Sequence, residues 1–536
     1  MFNRKTCYSL FALSGIFLLA IIVYSPCINN TFINLDDPIE NSFNLNLTWN
    51  NIKLIFNPST TNNYFGYYNP LLLCTFAFNH AVWKNHIAGY HLTSFILFLF
   101  TLLLIYAITE KLYKNKYISL MTVFLFVIHP IHIEPVAFNA ARAHLLLGLS
   151  CLLSFYFFII QIDCMNKKKI PFYLLSLFFM FLALLSHPIS IFLPLIILVY
   201  ICSYYKDLTF SNKLYNLLAF FLLVIGFEIF LIHSGQTRVS LLKDISVYDN
   251  IIRSVNIFGK YITLLLWPDK LSMNYIGVEL QFSHYHFIYS CITLCLFLTY
   301  FIYTFMKDKE LYFPGAWFVI FYFPVSHIVI PIGNPPMGDR YMYLPSFGIF
   351  LTCSILSYRL FKRVEKHNLL KLLTAGLITI IILNLFMFTW QRTNLWADPV
   401  AVWDNALKNY PYSPVSLVAR GQYYYNEKQY DLAMYNFTKA VTTDPNSNYI
   451  DAYFYRGMTY AVKGEYNKAI DDFTRSIELN NNSDSLYYRG ITYSNIKQYD
   501  KAIEDFEKII NNPEYNNAVN LLDSARKAME HQKKNR

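Results

Sequence analysis

The stretch RGMTYAVKGEYNKAIDDFTRSIELNNN, residues 456–482, occurs twice more with the same skeleton. RGQYYYNEKQYDLAMYNFTKAVTTDPN starts at Arg420, and RGITYSNIKQYDKAIEDFEKIINNP starts at Arg489. Small residues recur at Gly421, Gly457 and Gly490, and again at Ala433, Ala469 and Ala502, in steps of 36 and 33 residues. A period of that length corresponds to one helix pair, and small side chains at fixed places let the two helices approach closely. WDNALKNYP at 403–411 aligns with FTKAVTTDP at 437–445 and reads as a half repeat. Residues 391–536 are therefore expected to form an α-solenoid, with a half repeat at 397–412, repeats at about 414–447, 450–483 and 484–516, and a terminal helix at 517–536.

These segments resemble tetratricopeptide repeats, which implies a concave surface for an extended peptide or protein segment. Their aromatic stripe, Tyr423, Tyr430, Phe437, Tyr460, Tyr466, Phe473, Tyr493, Tyr499 and Phe506, is expected to be mostly core between helices.

Upstream the composition changes. The 536-residue chain is 55% hydrophobic and 18% aromatic, which no soluble domain of ordinary make-up reaches, so residues 1–390 read as a polytopic membrane domain. A span needs about 20 apolar residues. Candidates fall at about 8–28, 91–109, 117–131, 145–162, 171–186, 189–205, 214–233, 285–306, 312–332, 345–361 and 369–390, about eleven in all. The first follows Arg4 and Lys5 like a signal peptide, but its apolar run is long and no small-residue cleavage site follows, so an uncleaved anchor is expected. The expected fold class is thus all-α: a membrane helix bundle followed by the solenoid.

The net charge of +10 does not point to nucleic acid. Residues 391–536 are balanced at 18 basic and 18 acidic, and the excess, 26 against 16, lies beside the apolar runs, where lysine and arginine orient helices. Lys111, Lys114, Lys116, Lys167, Lys168, Lys169, Lys206, Lys213, Lys307, Lys309, Lys362, Arg363 and Lys366 all fall on the side of Arg4 and Lys5. By the positive-inside rule that side is cytoplasmic. The other loops, about 29–90, 132–144, 234–284 and 333–344, and everything after the last span, are then extracytoplasmic. Nine cysteines show no metal or disulfide framework, though Cys27 and Cys74 share a side and could pair.

Chemistry gathers in those outer loops. INLDDPIE, residues 33–40, holds Asp36 and Asp37, either helix-capping residues ahead of Pro38 or working carboxylates. VIHPIHIEPVAFNAARAHLL, 127–146, sets His129, His132, Glu134, Arg142 and His144 at a membrane boundary, where ionisable groups are costly unless they face a cavity. Capped helix ends, a metal site from His129, His132 and Glu134, and a cationic pocket for an anionic head group are the readings open there. GNPPMGDRYMYLPSFG, 333–348, is a tight loop in which Asp339 and Arg340 pair with each other or serve a phosphate, with Tyr341 and Tyr343 as interfacial aromatics. NIIRSVNIFGKYITLLLWP, 250–268, suits a helix lying on the bilayer surface.

The acidic pair after the first span, HPIHIEPVAFNAARAHLL, MGDRYMYLPSFG and the repeat array occur in the same order as in the transmembrane and tetratricopeptide-repeat O-mannosyltransferases, of the GT-C class, which this chain resembles over nearly its whole length. The resemblance implies transfer of a sugar, typically mannose, from a polyprenyl-phosphate carrier to a Ser/Thr hydroxyl on the non-cytoplasmic face, in a bacterial inner membrane or an endoplasmic reticulum. It implies catalytic roles for Asp36 and Asp37 and a donor-binding set of Arg142, Arg340, His129, His132, Glu134, Asp339 and Tyr341. The partners implied are the lipid-linked sugar, an acceptor protein held by the repeats, and the bilayer. No cofactor is read with certainty, although the two aspartates would suit Mg or Mn. The chain departs from the family's pattern at Asn69, His144 and His187, each of which alters a charge, so an inactive membrane-anchored scaffold is the alternative. A transporter would want ionisable residues within spans, where Glu228 stands out.

Overall fold

The computed structural model describes residues 4–28, 47–58, 67–84, 86–164, 169–205, 208–235, 246–275, 284–328, 337–443, 450–480, 482–510, 515 and 517–534. Among them the secondary structure is entirely helical, and the chain divides into two compact units, Met1–Val402 and Trp403–Arg536.

In the first unit six helical stretches are long and apolar enough to cross a bilayer: Tyr8–Ile28, Ile87–Tyr113, Asn139–Asp163, Ser211–His233, Tyr285–Lys307 and Asn368–Trp396. A seventh is the pair Lys116–Ile128 and Pro130–Ala137, bent by 62°. The protein is a multi-pass membrane protein. The other four expected spans coincide with shorter or more polar helices, Lys169–Leu184, Leu193–Tyr204, Lys309–Tyr322 and Ser346–Val364. The first three measure 16, 12 and 14 residues, short of the roughly 20 that a span needs. They come as two consecutive pairs, so seven spans and eleven give every lysine-rich loop the same side.

The packing explains why these segments stay together. Arg142–Asp163 lies along both Ile87–Tyr113 and Lys169–Leu184, and Ser346–Val364 lies between Lys116–Ile128 and Lys309–Tyr322. Gly348 sits so close to Lys309–Tyr322 that a Cβ would come within 2.3 Å of the Pro314 carbonyl oxygen. The helix expected on the bilayer surface, Val247–Leu266, buries Asn256, Ile257, Phe258, Tyr261, Leu264 and Leu265 within the fold and packs against His284–Lys307, while its Val247, Tyr248, Ile251 and Leu266 stay exposed. Cys27 and Cys74 are both free thiols.

The second unit holds the helix pairs Pro414–Asn426 with Tyr430–Thr443, Ile450–Val462 with Tyr466–Asn480, and Ser483–Asn495 with Tyr499–Ile509, then Ala518–Lys534. The recurring glycines face recurring phenylalanines sixteen residues on. A Cβ on Gly421, Gly457 or Gly490 would lie 2.4, 2.9 or 2.7 Å from Phe437, Phe473 or Phe506. The arginine before each glycine reaches the residue before each phenylalanine: Arg420 to Asn436 at 2.9 Å, Arg456 to Asp472 at 2.6 Å and Arg489 to Asp505 at 2.7 Å. Only part of the aromatic stripe is core. The three phenylalanines are fully buried, whereas the six tyrosines stay half-exposed, and Tyr460 and Tyr493 carry the guanidinium groups of Arg456 and Arg489 on their faces.

Candidate functional site

The bend at residue 129 is made by sequence. His129-Pro130-Ile131 and His187-Pro188-Ile189 are the same tripeptide, and both begin a 3₁₀ turn with proline at its first position. In each, the histidine Nδ1 accepts the isoleucine N–H, at 3.2 Å and 3.3 Å. A neutral imidazole that accepts through Nδ1 carries its proton on Nε2. His129 uses that proton on the Leu265 carbonyl at 3.2 Å. His132 donates from Nδ1 to the Phe126 carbonyl at 2.7 Å, and its Nε2 faces Ser346 Oγ at 2.9 Å. Both rings are consumed by the fold, which is the helix-end reading. The metal site from His129, His132 and Glu134 does not assemble, because both rings and the carboxylate are turned to other partners.

Glu134 is fully buried in the short helix Ile133–Ala137 and forms an ion pair with Arg340, whose backbone N–H also donates to it at 3.2 Å. Asp339 therefore does not pair with its neighbour. It accepts from Arg392 Nη2 at 2.5 Å and from the Tyr275 hydroxyl at 2.5 Å, while Arg392 Nη1 holds the Leu271 carbonyl at 2.9 Å. Gly338 is clamped by Tyr261, which donates to its carbonyl at 3.1 Å and accepts its N–H at 3.0 Å. Burial pushes the Asp339 carboxyl up to about 7, with Arg392 opposing and Glu134 adding. Segments around 134, 261–275, 338–340 and 392 thus meet in one buried charged knot. The Arg340 side chain retains 15% exposure at its edge.

Arg142 makes a different set of contacts. Its guanidinium donates to Ser94 Oγ at 2.9 Å, Thr75 Oγ1 at 3.2 Å, the Tyr90 carbonyl at 2.8 Å and Asn139 Oδ1 at 2.8 Å, over the Phe76 ring. These contacts fasten three helices together. Beside the knot, the His144 ring lies 4.7 Å from His187 and 5.6 Å from Tyr341, whose face carries Arg340 at 5.0 Å. Tyr67 packs on His187 at 5.0 Å. Next to these, Phe56, Tyr68, Leu185, Phe227 and Phe230 line an apolar groove of ≈ 500 Å³. Asp36 and Asp37, the expected catalytic pair and metal ligands, lie outside the described residues.

Tetratricopeptide repeat models match residues 415–447, 450–483 and 484–514. Residues 415–514 are tetratricopeptide repeats. Over 397 residues the chain is 23% identical to a protein O-mannosyl-transferase of Caenorhabditis elegans, covering 72% of this chain and 54% of that protein. Over 119 residues it is 34% identical to mouse protein O-mannosyl-transferase TMTC1, covering 21% of this chain and 13% of that one. The chain spans about half the length of the worm relative and a small part of the mouse one. An oligosaccharyltransferase of Archaeoglobus fulgidus tethered with an acceptor peptide aligns over 80% of this chain and 59% of its own, at 11% identity and a TM-score of 0.43. The expected resemblance to the O-mannosyltransferases is borne out in these relatives.

Sequence reasoning missed Arg392, Tyr275 and Tyr261. Arg392 left a signal, since it is a basic residue at the end of the last apolar run opposite to where the lysines gather. The tyrosines left none.

Proposed function

We propose that the chain is an integral membrane glycosyltransferase that moves a sugar, a hexose such as mannose, from a polyprenyl-phosphate carrier to a protein Ser/Thr hydroxyl. The observation that carries this reading is the knot Glu134–Arg340 and Asp339–Arg392. Buried charges in a membrane bundle are expensive and are retained where they do work. The similarity to protein O-mannosyl-transferases supports the reaction class. Because the short helices come in pairs, the lysine pattern puts Glu134, Arg392, the 29–90 loop and the repeats on the extracytoplasmic face of a bacterial inner membrane or an endoplasmic reticulum under either count of spans, and the 338–340 loop joins them there when Lys309–Tyr322 and Ser346–Val364 carry the chain across and back.

In this reading Arg340, oriented by Glu134 and by the clamp on Gly338, keeps an edge for a phosphate, whose charge grows as the carrier leaves. Asp339 anchors the loop through Arg392 and Tyr275, Tyr341 carries Arg340 on its ring, and His129, His132 and Arg142 shape the walls. The acceptor hydroxyl loses its proton to Asp36, with Asp37 assisting, since a carboxylate within hydrogen-bond reach serves as general base. The repeats bind the acceptor through their half-exposed tyrosines. Membranes containing the full chain and given a radiolabelled polyprenyl-phosphate sugar should label protein, and Asp36→Asn should abolish labelling at unchanged expression. A parent chain that labels nothing with any such donor overturns the reading in favour of a scaffold.

A further inference from the structure

We propose that the repeats choose acceptors by charge: the face built from Asp451, Tyr455, Asp484 and Tyr488 takes an extended polypeptide segment through its lysine or arginine side chains. This rests on the reading that the repeats hold the acceptor. The helix pairs carry their own cations away from this face. Within the first helix of each pair, Pro414–Asn426, Ile450–Val462 and Ser483–Asn495, the basic residues are Arg420, Arg456 and Arg489 alone. Each turns to its second helix, onto Asn436, Asp472 and Asp505 at 2.9, 2.6 and 2.7 Å. Another side of the second and third pairs repeats a different motif. Asp451 with Tyr455, and Asp484 with Tyr488, stand four residues apart, about one turn of helix and so on one face, and the motif recurs after 33 residues. Both carboxylates are exposed and both tyrosines half-exposed.

Packing holds these side chains in one arrangement. Tyr455 stacks on Phe437 at 5.8 Å and Tyr488 on Phe473 at 6.4 Å, so each ring is fixed by the phenylalanine of the preceding pair. Burial pushes the Tyr455 hydroxyl up to about 12, with Asp451, Asp484 and Tyr488 adding, so both carboxylates bear on one ring. Burial also raises the Tyr425 hydroxyl of the first pair, with Tyr430 and, from the third pair, Tyr488 adding. Side chains two pairs apart come within reach of each other where the face between them is concave. The Asp484 carboxylate accepts from the Tyr515 hydroxyl at 2.6 Å, which orients it and leaves lone pairs for a second donor. A lysine or arginine laid on this face meets a carboxylate and a tyrosine ring within one helical turn, and tyrosine faces attract cations. The fold already uses that pairing at Tyr460 and Tyr493, whose rings carry Arg456 and Arg489. In the first pair the places of Asp451 and Tyr455 hold Val415 and Ala419, so the face starts apolar and turns acidic along its length.

The test is direct binding and not transfer. The full chain in phosphatidylcholine nanodiscs is titrated with fluorescent peptides of one Ser/Thr-rich sequence in which the same positions hold lysine, glutamine or glutamate, with empty nanodiscs as the blank. The lysine peptide should bind about fivefold or more tighter than the glutamine peptide, the glutamate peptide should bind weakest, and the preference should shrink as salt rises. Asp451→Asn combined with Asp484→Asn keeps an oxygen for the Tyr515 hydroxyl, so it should retain the parent's thermal midpoint while erasing most of the preference. Asp451→Lys combined with Asp484→Lys should reverse the preference in favour of the glutamate peptide. Tyr455→Leu keeps an apolar side chain against Phe437 and should weaken the lysine peptide by about twofold to fivefold. A parent that binds the three peptides alike, binds none of them, or favours glutamate refutes the proposal, as does a lysine preference that survives both aspartate pairs of substitutions. Labelling from the polyprenyl-phosphate donor is read separately. Labelling without a charge preference refutes this proposal and leaves the transferase standing, whereas a charge preference without labelling keeps the face and removes the transferase.

Discussion

Replacing Arg392 by methionine tests the charged knot quantitatively. The substitution keeps an unbranched stem but removes the donors to Asp339 Oδ2 at 2.5 Å and to the Leu271 carbonyl at 2.9 Å. Asp339 is fully buried, and burial already raises its carboxyl to about 7, so its sign is that of an acid that keeps its proton longer when folded. Its contribution to stability is full below the ordinary aspartate value near 4, and is lost as pH rises from there to about 7. Without Arg392 the carboxyl rises further and stays protonated. At pH 6 both proteins hold a neutral Asp339, and the variant loses about 1 to 2 kcal/mol for two hydrogen bonds. At pH 8 the parent has an ionised, paired carboxylate, whereas the variant must hold the proton against the solvent, which adds about 1.4 kcal/mol per pH unit above 7. Thermal unfolding of the detergent-solubilised full chain at pH 6, 7 and 8 reads the difference. Arg392→Met combined with Asp339→Asn should show no such slope. A deficit of equal size at pH 6 and pH 8 would refute the reasoning.

Three further outcomes follow from the geometry. Gly421→Ala places a methyl 2.4 Å from the Phe437 ring and should cost about 1 to 3 kcal/mol, read as a lowered midpoint for the repeat unit's helical signal; an unchanged midpoint would mean the helices can separate freely. Lys428, Gly464 and Lys497 occupy the same turn of successive repeats with φ of 60°, 78° and 63°, so Lys428→Gly or Lys497→Gly should stabilise the unit by about 1 kcal/mol, read as a raised midpoint, and a lowered midpoint would contradict the strain. Asp308 accepts from Arg359, which holds its carboxyl below the usual aspartate value. That contribution is present above about pH 4 and lost as pH falls, so Arg359→Ala should remove part of the acid sensitivity, by less than about 1 kcal/mol because the pair is partly exposed; an identical acid limb in both proteins would sink the assignment.

The repeats were legible because their physics is local and written three times. Glycine, phenylalanine, arginine and its acceptor keep fixed offsets within one helix pair, so a self-alignment exposes the packing rule directly. The tyrosines misled for the same reason: an aromatic at helical spacing does not say whether its face meets another helix or, as at Tyr460, a guanidinium. In the membrane unit hydropathy found each apolar segment but not its helical length. Lys169–Leu184 and Leu193–Tyr204 are cut short by the His187-Pro188 turn, whose capping imidazole is invisible to a hydropathy window.

The site was legible as residue types and not as partners. Asp339 and Arg340, adjacent in sequence, look like an ion pair, yet a 3₁₀ turn sends their side chains apart, one to Arg392 and one to Glu134. That divergence ties the loop at 338–340 to both the bent helix pair and the last apolar helix, and under the proposed function it would orient the Arg340 guanidinium from two sides before a phosphate arrives. The departures at His144 and His187 acquire a meaning in the same way. Read singly each is a lost charge, but the fold brings the two rings together, tilted by 48° with centroids 4.7 Å apart, beside Tyr341.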